Sequence, residues 1–185
     1  PAAPGAPSYV GSATCQSCHS DAYSWWTKHA HGRAYATLEH AHKQFNLSCV
    51  SCHVTGYGRP GGSSVVQNAG LTNVGCESCH GPGSEHLEDK ERGRHIVSPS
   101  LLTPERELLI CGACHSRPAG KGGANAEAPL SSQGLMPIPG LRRGEFADQF
   151  TSRVDAAADH LYASGDSSAP HQQYTDFVRT SMARN

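Results

Sequence analysis

The sequence predicts a mainly α-helical chain with extensive loops and little or no β structure. Apolar residues recur at helical spacing near residues 21–44, 145–162 and 168–185, and a short helix is expected after Ser84. Glycine (20) and proline (12) are plentiful among the 185 residues, which favours long loops. No run alternates convincingly between apolar and polar residues, so residues 61–66 predict a small hairpin at most.

Composition excludes several classes of protein and leaves the core short of apolar residues. Hydrophobic residues make up 37% and aromatic residues 6% of the chain, which is poor for a globular core of this length. The formal net charge is −1 and no basic patch indicates a nucleic-acid partner. No stretch approaches the roughly 20 apolar residues that a membrane-spanning helix needs.

All eight cysteines belong to four copies of the motif Cys-x-x-Cys-His. The copies begin at residues 15, 49, 76 and 111, so 34, 27 and 35 residues separate successive first cysteines. The motif attaches c-type haem, because its thiols bond to the porphyrin and its histidine binds the iron. Zinc sites or redox dithiols need no histidine after each pair. With 12 histidines in 185 residues, four chance occurrences have a probability of (12/185)⁴, on the order of 10⁻⁵.

The sequence therefore predicts four c-type haems, close together, that supply much of the core. The predicted thioether positions are Cys15, Cys18, Cys49, Cys52, Cys76, Cys79, Cys111 and Cys114, and the predicted proximal iron ligands are His19, His53, His80 and His115.

Four regions follow along the chain. Residues 1–11 form an extended N-terminal arm, and residues 12–115 bind the four haems. Residues 116–140 are a Gly/Pro-rich connection, and residues 141–185 are a helical segment that packs on haems or on a neighbouring subunit. The start at Pro1 suits a mature chain after removal of a secretory signal. Haem attachment of this kind takes place outside the cytoplasm, which predicts a periplasmic or extracellular protein.

The sixth iron ligands are expected to be histidines. Only two methionines exist, and eight histidines lie outside the motifs. His171 shares a helical stripe with Tyr174, Val178 and Met182, and His42 shares one with Tyr35, Leu38 and Phe45 if the first helix is continuous. We therefore expect His171 and His42 to be ligands, while His31, His40 and His160 stay open alternatives. His95 lies in a charged, solvated segment and is the weakest candidate.

Three segments resemble the cytochrome c-554-type multihaem group over about residues 9–116. They are residues 26–30, residues 49–57 and, most specifically, the run Cys76-Glu77-Ser78-Cys79-His80-Gly81-Pro82-Gly83-Ser84-Glu85-His86. The resemblance implies that His29 and His86 are distal ligands to haems other than their own. Small tetrahaem cytochromes of this kind include ones that polymerise into electron-conducting filaments, and the terminal segments here suit such contacts.

Two functional classes remain. The first is an electron-transfer protein with bis-histidine haems, acting with redox partner proteins, as a protomer of an extracellular filament or as a soluble shuttle. The second is a small multihaem reductase or oxidase, which needs one iron with an open face. The surplus of histidines favours the first class, so the chain is not expected to be an enzyme.

Overall fold

Helices and long connections make up the computed structural model, which describes residues 5–65, 69–89, 91, 93–116, 119–120, 130–151, 162–164, 166–168 and 172–183. The helices are α1 (Ser12–Cys15), α2 (Ser20–Lys28), α3 (Ala34–His40), α4 (Leu47–Val50), α5 (Cys76–His80), α6 (Ser84–Glu88), α7 (Pro104–His115), α8 (Arg143–Gln149) and α9 (Gln173–Arg179). Short 3₁₀ turns cover His31–Arg33, Pro99–Leu101 and Ser181–Ala183. The predicted mainly α fold with extensive loops is confirmed, and the short helix expected after Ser84 is α6.

The prediction of one long helix near residues 21–44 is wrong. Helix α2 ends at Lys28 because His29 adopts an extended backbone, and α3 starts only after the 3₁₀ turn. A Cβ atom on Gly32 would lie 2.4 Å from the carbonyl oxygen of Trp26, so only glycine fits where the chain folds back on α2. The helical stripe expected to join His42 to Tyr35, Leu38 and Phe45 therefore does not form.

The C-terminal helices are shorter than the apolar periodicity predicts. Helix α8 ends at Gln149, and Phe150 turns into an extended conformation. Phe150 nevertheless packs on Phe146 as expected, with ring centroids 5.2 Å apart. Helix α9 begins at Gln173, and an extended Thr180 separates it from the last 3₁₀ turn. The remainder of the predicted second helix, residues 152–161, lies outside the described residues.

The β structure in the described ranges is small. Strand β1 (Ala119–Gly120) pairs antiparallel with β2 (Phe150–Thr151), in the register Ala119 with Thr151 and Gly120 with Phe150. A single antiparallel bridge joins Val54 and Thr72. These pairings tie loops together and do not build a layer of the fold.

Two small apolar clusters form the core. The first contains Leu38, Val50, Val54, Tyr57 and Met136 and borders three motif cysteines, and the second contains Leu109, Phe146 and Phe150. Nine hydrophobic residues of the described part are buried, and as many large ones, including Trp25 and Phe45, are exposed. No helix within the described ranges is long and apolar enough to cross a bilayer. The clusters hold the segments that carry the motifs, and the motif cysteines line one of them.

Candidate haem-binding site

Each Cys-x-x-Cys-His motif lies in a helix or in the turn that follows one. The third motif is α5 itself, and the fourth is the end of α7, which Pro104 starts. Cys15 ends α1, and Cys49 lies in α4. Residues three apart on a helix share a face, so the two thiols of a motif lie on the same side. That arrangement suits a porphyrin joined at two neighbouring points.

Thiols from motifs far apart in the sequence meet inside the protein. Cys15 and Cys76 share a hydrogen bond, which lowers the pKa of the Cys76 thiol to about 6 and raises the pKa of Cys15. Cys114 likewise hydrogen-bonds to Cys52, and this contact together with burial raises the pKa of Cys114. The first motif therefore adjoins the third, and the second adjoins the fourth.

The third and fourth motifs are neighbours as well. Burial and the nearby Cys111 raise the pKa of Cys79 to about 11. The motifs thus follow one another in space in the order first, third, fourth and second. In the described part of the chain, no group of three or more His, Cys, Asp and Glu side chains is arranged to hold a metal ion.

The proximal histidines are oriented by hydrogen bonds at one ring nitrogen. Nδ1 of His53 lies 2.6 Å from the carbonyl oxygen of Ala34, and Nδ1 of His80 lies 2.8 Å from that of Val97. A donating Nδ1–H leaves Nε2 as the free acceptor, and a metal-binding histidine shows this pattern. Nε2 of each ring is therefore the nitrogen that is left free to accept a metal.

Two of the proximal histidines face a second histidine. The rings of His19 and His86 are nearly parallel, with centroids 6.5 Å apart and an interplanar angle of 22°. The rings of His31 and His115 lie 6.0 Å apart at 43°. Two metal–nitrogen bonds of about 2 Å each plus two ring radii give a separation of about 6 Å. Each pair therefore has the spacing at which two imidazoles hold one iron.

His86 and His31 also carry features of ligands. Nδ1 of His86 lies 3.2 Å from the carbonyl oxygen of Arg94, so its Nε2 is left for iron. Partial burial and the charges of His115 and His29 lower the pKa of His31, which favours the neutral, metal-binding ring. His86 was expected to serve a haem other than its own, and it lies opposite His19 of the first motif. His31 was only an open alternative, because the first helix was expected to continue past Gly32 with a kink at most.

The other predicted ligands near the first helix are placed differently. His29 lies against Trp25, with ring centroids 3.6 Å apart. His40 ends α3 and is exposed. His42 is exposed and has a positive φ of 52° outside any helix. The helical argument for His42 therefore fails, and the ligand roles of His29 and His42 stay predictions.

Of the three remaining histidines, the structure describes only His95. Nδ1 of His95 lies 3.2 Å from a carboxylate oxygen of Glu85, and its Nε2 lies 3.4 Å from one of Asp89. Both ring nitrogens thus face carboxylates, which suits a surface ion pair. His160 and His171 lie outside the described residues, so the ligand role of His171 stays a prediction.

Glu77, inside the third motif, is a structural residue that the sequence argument missed. Its side chain is 1% exposed and accepts hydrogen bonds from the backbone N–H groups of Val10 (2.9 Å), Gly11 (2.8 Å) and Gly83 (2.8 Å). Ser84 accepts a further bond from the N–H of Ser8. Glu77 thereby joins the approach to the first motif to the loop that carries His86. The only sequence feature that could have drawn attention to Glu77 is its position between the two cysteines of the third motif.

Comparison with known proteins gives one family. The family model "Cytochrome c554 and c-prime" matches residues 14–81. Cytochrome c-554 of Nitrosomonas europaea is 32% identical over 184 aligned residues, covering 85% of this chain and 77% of that protein.

Two solved structures are similar. The reduced state of cytochrome c554 from Nitrosomonas europaea is 26% identical over 77% of this chain and 78% of that chain, with a TM-score of 0.44. The outer cell wall cytochrome OcwA gives a TM-score of 0.58 at 20% identity, over 89% of this chain and 49% of that one. This chain thus spans about half of OcwA, and that likeness concerns the fold.

Proposed function

Because the chain belongs to the cytochrome c-554 family of multihaem electron-transfer proteins, we propose that it binds four c-type haems and passes single electrons along them outside the cytoplasm. Haem iron supplies a reversible one-electron couple when bound. The eight motif cysteines hold the porphyrins, and His19, His53, His80 and His115 bind from one side. His86 and His31 complete the first and fourth sites.

The observation that carries the proposal is the pairing of histidines from different segments. The His19–His86 and His31–His115 pairs each combine a motif histidine with one from another motif's neighbourhood. Each pair would hold one haem iron with two histidines, which favours electron transfer over substrate binding. The contacts of Cys15 with Cys76 and of Cys52 with Cys114, and the proximity of Cys79 to Cys111, favour a route in the order first, third, fourth and second.

Removal of one distal histidine at a time tests the proposal. H31A and H86A are expected to keep four haems per chain by the pyridine-haemochrome assay, and each is expected to gain one high-spin haem in absorption and electron paramagnetic resonance spectra. H95A is the matched control, because His95 pairs with surface carboxylates, and it is expected to stay fully low-spin. Fewer than four haems in the unaltered protein, or low-spin haems throughout H31A and H86A, would contradict the proposal.

Self-association into an extracellular filament is the finer part of the proposal, with a soluble periplasmic shuttle as the alternative. The backbone N–H groups of Ser8, Val10 and Gly11 in the predicted arm bind Ser84 and Glu77, so this stretch is anchored to its own subunit. Electron microscopy and small-angle scattering of concentrated protein distinguish the two, since a strict monomer excludes the filament.

The enzymatic alternative is tested by ligand binding. Carbon monoxide and nitrite are expected to leave the absorption spectrum of the unaltered protein unchanged, because His86 and His31 would complete the first and fourth sites and histidines are predicted to complete the other two. A spectral shift with either compound would identify an open iron and favour a reductase.

A further inference from the structure

The fourth motif differs from the second and third in what holds its proximal histidine. Nδ1 of His53 and Nδ1 of His80 face backbone carbonyl oxygens, which no substitution at the partner residue removes. Nδ1 of His115 instead lies 2.7 Å from the side-chain oxygen Oε1 of Gln173. Nδ1 of His53 also has a longer contact of 3.4 Å with the hydroxyl of Thr37. Among these three histidines, only His115 has a side chain as its nearest partner, and that side chain belongs to α9, 58 residues further along the chain.

The surroundings fix Gln173 in place. Its neighbours Gln172 and Thr175 are buried, with 4% and 2% of their surfaces exposed. Tyr174 lies over Gly112, where a Cβ atom would come within 3.0 Å of the tyrosine ring. Helix α9 therefore sits directly on the fourth motif, and its packing brings the exposed side chain of Gln173 to the ring of His115.

We propose that Gln173 is a positioning residue that sets how strongly His115 donates electron density to its iron, and so tunes the potential of the fourth haem. The inference rests on the proposed function, since it needs a haem at His115. A hydrogen bond accepted from Nδ1–H orients the ring and strengthens the histidine as a ligand. A stronger ligand stabilises the ferric state, and hydrogen bonding to the axial ligand is one of the means by which a protein sets a haem potential. The C-terminal helix thus gives one haem a potential that a single substitution can change.

Two variants of Gln173 separate tuning from simple structural support. Q173E offers a carboxylate, whose hydrogen bond is about twice as strong as that of a neutral acceptor. Q173L offers no acceptor at similar size. In spectroelectrochemical titration, Q173E is expected to shift the ratio of oxidised to reduced haem by about tenfold towards oxidised at one haem only, which is about 59 mV for a one-electron couple. Q173L is expected to shift the same haem in the opposite direction.

The control and the spectra make the test specific. Q133E adds the same charge at an exposed glutamine on another segment, and it is expected to leave all four potentials unchanged. Both Gln173 variants are expected to keep four low-spin haems, with changed electron paramagnetic resonance g-values for one of them. Unchanged potentials, or shifts of the same sign in Q173E and Q173L, overturn the inference while the proposed function stands. A haem count below four in the unaltered protein overturns both.

Discussion

Replacing Glu77 with glutamine tests whether the buried carboxylate holds the first and third motifs together. Oε1 accepts from the N–H groups of Val10 and Gly83, and Oε2 accepts from that of Gly11. A glutamine oxygen in the Oε1 position keeps the first two bonds. Its NH₂ group then faces the Gly11 N–H, and two donors meet in a site that is 1% exposed. One orphaned buried N–H costs about 1–3 kcal/mol, so E77Q is expected to destabilise the protein by that amount.

The measurement is the unfolding of the haem-loaded protein in guanidinium chloride, followed by far-ultraviolet circular dichroism. A lower midpoint at constant slope reports the lost stability. E39Q is the matched control, because Glu39 is exposed on α3 and surface substitutions change stability by less than about 0.5 kcal/mol. E77A orphans all three N–H groups and is expected to cost at least about 3 kcal/mol. Equal midpoints for E77Q and E39Q would refute the reasoning.

Three further substitutions probe the supports of the site. G112A places a Cβ atom 3.0 Å from the ring of Tyr174, so thermal unfolding should show a loss of stability of about 1–3 kcal/mol. An unchanged melting temperature would mean that the ring moves aside without cost. W26F removes the indole donor that lies 2.8 Å from the carbonyl oxygen of Val74, at an expected cost of about 1–2 kcal/mol in the same assay, and no loss would show that this contact is dispensable. Burial raises the pKa of Tyr9 to about 12, so the unfolded chain loses its phenol proton first and stability should fall by up to about 3 kcal/mol between pH 10 and pH 12. Y9F should flatten that part of the stability profile, and an equally steep fall in Y9F would assign it to other groups.

The haem-binding motifs and the helical fold class could be predicted from the sequence because covalent chemistry fixes them locally. The spacing of Cys15 and Cys18 is set by the two attachment points on the porphyrin, and it does not depend on the fold of the rest of the chain. The place of His31 depends instead on a tertiary contact, the close approach of Gly32 to the carbonyl oxygen of Trp26. The spacing of apolar residues does not reveal that contact. It predicted a continuous helix instead, and the apolar stripe of that helix favoured His42 as a ligand.

The supports of the site were harder to foresee for the same reason. Gln173 meets His115 only because Tyr174 seats α9 on Gly112, 62 residues earlier in the chain. Glu77 looks like a surface glutamate until the N–H groups of residues 10, 11 and 83 surround it. A polar side chain that accepts hydrogen bonds from the backbone of distant segments produces no periodic pattern in the sequence.

The order in which the motifs meet has a consequence for where electrons enter and leave. The first and second motifs lie at opposite ends of the spatial series, yet they are consecutive in the sequence, and α2, the turn at His31–Arg33 and α3 connect them. That connection therefore links the two ends of the series, where electrons would enter and leave. Insertions or deletions in it would change the separation of the two ends, and they would also displace His31, which faces His115 of the fourth motif.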